Sequence, residues 1–290
     1  MDLTKLNEIK KAAIIGMFSD DTISESLALK GGNAIDIIYQ ISNRASFDID
    51  ISMKNDFNPD DLDETRKRLE HSLLRAYSDI GYKIFDFIMQ ERPQVIADEV
   101  SDFWGGYKIE FKILEKNQYK KLENNPDELR KYAEVVGKSQ GRKIKIDLSK
   151  YEYFENNIHE IEGYKINVYS PQFVICEKLR AICQQMPEYK LIVKSMSLKP
   201  RARDFYDIYT ICEKFRIRDF DPEIVKHVFQ AKKVPLEFIK DIIKQKDFHR
   251  GGYNSLKDTV SDPDLKEFEY YFDFVCKLST SLRDNINATL

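Results

Sequence analysis

Residues 46–53 constrain this 290-residue chain more than any other stretch. Phe47, Ile49, Ile51 and Met53 alternate there with Ser46, Asp48, Asp50 and Ser52. A period of two is the repeat of a β-strand, because successive side chains point to opposite sides of a sheet. The strand so predicted has one apolar face to bury and one polar face carrying both aspartates. Runs at 82–88, 95–100, 107–114 and 143–148 also read as strands and join it in a mixed sheet. Leu27–Lys30 is a further short candidate, and residues 152–169 allow one more hairpin.

Residues 2–18 set Leu3, Leu6, Ile9, Ala13 and Met17 on one helical stripe. Residues 33–41 and 59–80 read as helices too. The second opens on Asp60, Asp61, Asp63 and Glu64, at the end where acidic side chains suit the helix dipole. From Pro171 onward the pattern changes. Residues 171–185 and 200–215 are helical, the latter with Phe205, Ile208, Tyr209 and Cys212 on one stripe, and helical patterns continue to near Arg283. The expected fold class is α+β: an N-terminal mixed sheet with flanking helices over residues 1–170, and an all-helical bundle over residues 171–290.

A net charge of −3 excludes a global positive field, so any nucleic-acid surface must be local. One candidate is the stretch 226–250, where Lys226, Lys232, Lys233, Lys240, Lys244, Lys246 and Arg250 face only Glu237, Asp241 and Asp247. A solvated helix face explains it equally well. Cys176, Cys183, Cys212 and Cys276 form no CxxC pair, which suits reduced thiols. The N-terminal apolar run is too short and too charged for a signal peptide, and no stretch nears the ~20 apolar residues of a membrane span. The expectation is a cytoplasmic protein with no membrane partner. The four histidines show no metal-ligand spacing.

Gly31-Gly32 allows close backbone approach to a ligand, and a helix following it would offer free N–H groups to a triphosphate. Asp48 and Asp50, on one strand face, are a natural Mg²⁺ site. With two ions about 4 Å apart, one would activate the attacking hydroxyl and the other steady the leaving pyrophosphate. Each feature also has a plain alternative: a tight turn for the glycines, and a solvent-facing edge strand for the aspartates. Their combination at this spacing tips the balance toward chemistry. Ser46 shares the strand face of Asp48, and Arg44 is near; both are candidates for the triphosphate and equally fit as turn residues. A third carboxylate is expected from a neighbouring strand, with Asp147 and Glu110 as candidates. Lys150 is expected in a loop.

A glycine pair opening a helix, followed by a DxD strand, resembles the DNA-polymerase-β-like nucleotidyltransferase superfamily. The form RASFDID, with EKLRAI and RARDFYDIY downstream, resembles the AbiEii/AbiGii toxin family from about Leu29 to about Tyr209. The resemblance implies an Mg²⁺-dependent transfer of a nucleoside monophosphate from an NTP, by a toxin of a toxin–antitoxin or abortive-infection system with an antitoxin as partner. It implies that Lys178 reaches the phosphates, with Arg201 and Arg203 nearby. It also implies that Asp204 is essential, orienting Lys178 or a basic neighbour, and that Asp147 is the third carboxylate. Asp207 is then left a structural role. Some family members suggest RNA, and the 3′ end of tRNA, as acceptor. A protein side chain or small molecule as acceptor, or a non-enzymatic binding module on the same fold, are the alternatives.

Overall fold

A computed structural model describes residues 3–41, 48–136, 141–260 and 263–289. Its centre is a five-stranded sheet in the order β1-β2-β5-β4-β3. The strands are β1 (Leu27–Lys30), β2 (Ile49–Met53), β3 (Tyr82–Arg92), β4 (Gly106–Glu115) and β5 (Ile144–Ser149). Only β2 and β5 run parallel; the other pairs are antiparallel.

Alternation sorts the sheet into two faces. Leu29, Ile51, Leu148 and Tyr107 form one lateral row, and Ile49, Ile146 and Ile109 the next. All are buried, against helices α1 (Leu3–Phe18) and α2 (Leu62–Asp79). Leu69, Leu73, Ala76 and Tyr77 give α2 its buried stripe. Gly16 lets the two helices approach closely: a Cβ there would lie 2.8 Å from Leu73 Cδ2. The opposite face is polar and carries the site described below.

Two expectations fail locally. Residues 95–100 are not a strand. Because β3 runs on to Arg92, which pairs with Gly106, residues 93–105 are the connection of a long hairpin. Within it Val95 is 86% exposed, and Asp98–Val100 make one helical turn. The helix expected over 33–41 begins earlier, at Gly31–Asn33, and widens into a π-turn over Ala34–Ile38. Residues 46 and 47 of the expected first strand lie outside the described residues; Asp48 is a bend just before β2.

After β5, the hairpin β6 (Ile158–Ile161) and β7 (Tyr164–Asn167) forms its own two-stranded sheet. Ser170 then caps helix α3 (Pro171–Cys183), its hydroxyl accepting from Phe173 N–H, with Pro171 in the first turn. The remaining main helices are α4 (Ala202–Phe215), α5 (Pro222–Gln230) and α6 (Phe268–Thr289). Their apolar stripes build a second core, which also takes in Ala28, Ile35, Val100, Phe103 and Phe154 from earlier segments. Cys176, Cys183 and Cys212 are buried there, and burial pushes the Cys212 thiol up to about 12. No helix among the described residues is long and apolar enough to cross a membrane.

Candidate active site

The sheet register sets five side chains in one row across the polar face: Lys30, Asp50, Asp147, Lys108 and Gln90. Paired residues share a face, and neighbouring strands lie ~4.8 Å apart. Asp50 and Asp147 therefore stand side by side with a lysine outside each. Asp48 is exposed one step before β2, and its carbonyl accepts from Asn33 Nδ2 at 2.6 Å. Asn33 is fully buried, so the helical turn after the glycines pins the approach to β2. Glu110 sits further along β4, opposite Lys145, between Lys108 at 2.9 Å and Lys143 at 3.1 Å. Of the two candidate third carboxylates, Asp147 lines the cleft described below, and Glu110 is absent from its walls.

Burial raises Asp50 to about 6, with Asp147, Glu177 and Asp48 adding to the shift and Lys30 opposing it. Asp147 is raised as well, first by burial and then by Asp48, against Lys108 and Lys145. Such shifts mark carboxylates short of compensating positive charge. Among the described residues, no three His, Cys, Asp or Glu side chains gather into a ready-made metal cage.

Gly31 has φ +66°, and a Cβ there would fall 2.5 Å from Asp50 Oδ2. The turn thus presses backbone against the carboxylate where a side chain cannot fit. Gly31→Ala is expected to lower the transfer activity implied by the sequence resemblance by about 100-fold, the scale of an ~1 Å misplacement in an active site. Pyrophosphate release measured on the folded variant checks it; wild-type turnover would mean that the close approach has no consequence. Gly32 is buried beside it on the same wall.

The facing wall comes from the helices. Lys178, on α3, is 5% exposed. Its Nζ donates to Asp204 Oδ1 at 2.9 Å and to Asp207 Oδ2 at 2.7 Å, both on α4. Three residues apart, these two carboxylates share a helix face. Asp207 is thus as close a partner of Lys178 as Asp204. Arg201 Nε lies 2.6 Å from Asp204 Oδ2. Its backbone N–H donates to Nδ1 of the buried His249. Burial lowers His249 to about 4, so the ring is neutral at neutral pH and keeps a lone pair for that bond. Arg203 donates to Ser255 Oγ at 2.6 Å. Arg44 and Ser46 lie outside the described residues.

Between the walls is a cleft of about 1290 Å³. Asp48, Asp50, Asp147, Lys178 and Asp204 all line it, as do Gly31, Gly32, Arg201 and Arg203. Nine Lys or Arg residues meet five Asp or Glu on its walls, so a positive patch does exist within the acidic chain. Within the stretch 226–250 the cations are placed differently. Lys232 is buried, donating to Phe103 O at 3.0 Å and to Lys150 O. Lys226, Lys233, Lys244, Lys246 and Arg250 are paired with acids. Lys150 is in the bend after β5 as expected, but it is buried, 2% exposed and 2.6 Å from both Asp56 and Glu91.

The sequence signals missed one further group. Glu152, just beyond β5, is buried among Lys30 at 3.3 Å, Arg180 at 3.3 Å and Lys232 at 3.6 Å. Although burial opposes it, Arg180, Lys30 and Lys232 pull its carboxyl down to about 2. Burial in turn lowers Lys232 to about 8.

No curated protein matches the sequence significantly. Among solved structures, one from H. pylori, provisionally described as a nucleotidyltransferase, is similar over 100% of this chain and 99% of its own, at 16% identity and a TM-score of 0.52. That likeness shows the fold. MenT4, a nucleotidyltransferase toxin from Mycobacterium tuberculosis H37Rv, matches 96% of this chain and 83% of its own, at 12% identity and a TM-score of 0.39, too distant to add weight. The model of the nucleotidyl transferase AbiEii toxin family, type IV toxin–antitoxin system, matches residues 13–274. With that match over most of its length, on a nucleotidyltransferase fold, the chain belongs to the AbiEii family of nucleotidyltransferase toxins.

Proposed function

We propose that the protein transfers a nucleoside monophosphate from an NTP to the end of an RNA, with the 3′ end of tRNA as acceptor, using Mg²⁺ at Asp48, Asp50 and Asp147. The observation that carries this reading is the pairing of Asp50 with Asp147 beneath the Gly31 turn, facing Lys178 across a basic cleft. The acceptor hydroxyl attacks the α-phosphorus; a P–O bond forms to the RNA, and the bond to the leaving pyrophosphate breaks. Asp147, with its raised carboxyl, is the candidate to take the hydroxyl proton. Lys178 and Arg201 are the candidates to meet the triphosphate, with Asp204 and Asp207 holding the lysine.

The donor set fits Mg²⁺. It offers carboxylate oxygens, two of them on neighbouring strands, whose raised carboxyls a cation would relieve. Mg²⁺ keeps several waters and takes other ligands from substrate phosphates, so no protein cage is required. Asp48, Asp50 and Asp147 would hold such an ion, which would offset the charge that develops on the leaving group. Membership of a type IV toxin–antitoxin family supports a cognate antitoxin as partner.

For the acceptor, the support is the basic lining. Lys143 and Lys145 alternate with the buried Ile144 and Ile146 on β5, sharing the face of Asp147 and leading along the strand to it. Lys143→Ala with Lys145→Ala is expected to weaken RNA labelling and to flatten its salt dependence by ~1.4 log units per log unit of salt, ~0.7 for each phosphate no longer neutralised. Lys240→Ala with Lys244→Ala should leave both unchanged. Equal salt slopes for the two pairs would place the acceptor elsewhere, and a salt-independent wild type would favour a small-molecule acceptor.

A further inference from the structure

Lys30 is a member of the carboxylate row that is both buried and held by anchors beneath the sheet end. It is 7% exposed, lines the cleft, pairs with Asp50 across the β1–β2 ladder, and immediately precedes Gly31. Nζ donates to Ser149 Oγ at 3.1 Å and to Glu152 Oε1 at 3.3 Å. An ammonium has three N–H donors, so one remains for a ligand in the cleft. Glu152 is shared with Arg180 and Lys232. Glu152 therefore ties three cations together under the glycine turn, and Arg180 also meets Glu177 at 3.2 Å. Its cations come from β1, from the helix of Lys178 and from the turn after α5, so Glu152 also joins the sheet wall to the helical wall.

We propose that Lys30 is a phosphate-binding residue of the cleft and that Glu152, with Ser149, positions it. An anionic oligophosphate in front of Gly31 meets the Lys30 ammonium beside Asp50, a residue that would help hold the metal ion. Glu152 keeps the ammonium from collapsing onto Asp50, which would otherwise neutralise the carboxylate and remove a phosphate donor at once. The inference rests on the NTP reading of the cleft, and the probe is chosen to be independent of base, acceptor and turnover.

That probe is inorganic tripolyphosphate with Mg²⁺, its binding measured by calorimetry on variants whose folding is verified by thermal melting. Lys30→Met is expected to weaken binding about tenfold or more, the scale of a charge-assisted hydrogen bond. Glu152→Gln should weaken it comparably, and Ser149→Ala about threefold. The double variant Lys30→Met/Glu152→Gln should bind no more weakly than Lys30→Met alone, because a positioning residue has no effect once the residue it positions is gone. A merely structural Glu152 would give additive losses. Wild-type affinity in Lys30→Met, or additivity in the double variant, overturns the proposal. Should Glu152→Gln not fold, Ser149→Ala decides: it removes an anchor without stranding a charge, and unchanged affinity there overturns the positioning claim. Wild-type protein that binds tripolyphosphate but transfers no nucleotide to RNA would instead sink the acceptor reading and leave this subsite standing.

Discussion

Lys178→Met is expected to abolish nucleotide transfer and to destabilise the protein by about 3–5 kcal/mol, the usual cost of removing one partner from a buried ion pair. The two effects have one origin. Lys178 is a shared cation of Asp204 and Asp207, both nearly buried, and its loss takes a close partner from both carboxylates, with Arg201 still beside Asp204. Loss of a single preorganised charge at a phosphoryl-transfer centre costs ~10²–10³ in rate before any unfolding is counted. Lys178→Met/Asp207→Asn should recover part of the stability, since a carboxylate deprived of the Lys178 ammonium is neutralised, but none of the activity. Chemical denaturation and pyrophosphate release on the same preparations separate the two. A single variant as stable as wild type would contradict the ion-pair geometry, and a stable but fully active one would remove Lys178 from the site.

Asp50→Asn is expected to lower transfer by at least ~10³, given the several kcal/mol that a metal bridge supplies to the transition state. Its effect on stability should have the opposite sign. Burial and neighbouring negative charges raise Asp50 to about 6, so the folded state holds its proton more tightly than the unfolded chain does. The stability contributed by this group is therefore fully present below about pH 4 and is lost as pH rises through about 6. In EDTA, Asp50→Asn should be the more stable protein at pH 7, by a margin that shrinks towards pH 4. Millimolar Mg²⁺ should narrow the margin at pH 7 by stabilising the wild type. Melting curves across this pH range check both signs; a variant less stable than wild type at pH 7 in EDTA would mean that Asp50 is held by compensating charge.

The aspartate strand was readable because alternation is local: Asp50 and Ile51 must face opposite ways whatever the rest of the chain does. Asp147 was readable as a strand end, but its place beside Asp50 depends on the parallel β2–β5 register, which no local pattern encodes. Lys30 and Lys108, bracketing the two carboxylates, were invisible for the same reason. Residues 95–100 misled because Val95, Ile96 and Val100 have strand-like composition, whereas pairing is decided by β3 running on to Arg92. The basic stretch 226–250, for which a solvated helix face was an equal alternative, is only partly legible for another reason. Its charge is real, but Lys232 points inward to Glu152, and Lys233 and Lys246 meet Asp102 and Asp273, partners that only tertiary packing supplies. Asp207 looked structural because helical spacing places it near Asp204 without revealing that Lys178 lies between them.

The central claim is that an α-phosphoryl group moves from NTP to RNA at the Asp50–Asp147 row. The most direct test incubates the purified protein with Mg²⁺ and total tRNA in parallel reactions, each NTP carrying ³²P at either the α or the γ position. The account predicts that α-label appears on RNA, that γ-label is released as pyrophosphate, and that Asp50→Asn does neither. Transfer of γ-label to any acceptor, or α-label on RNA from the Asp50→Asn protein at the wild-type rate, would contradict it.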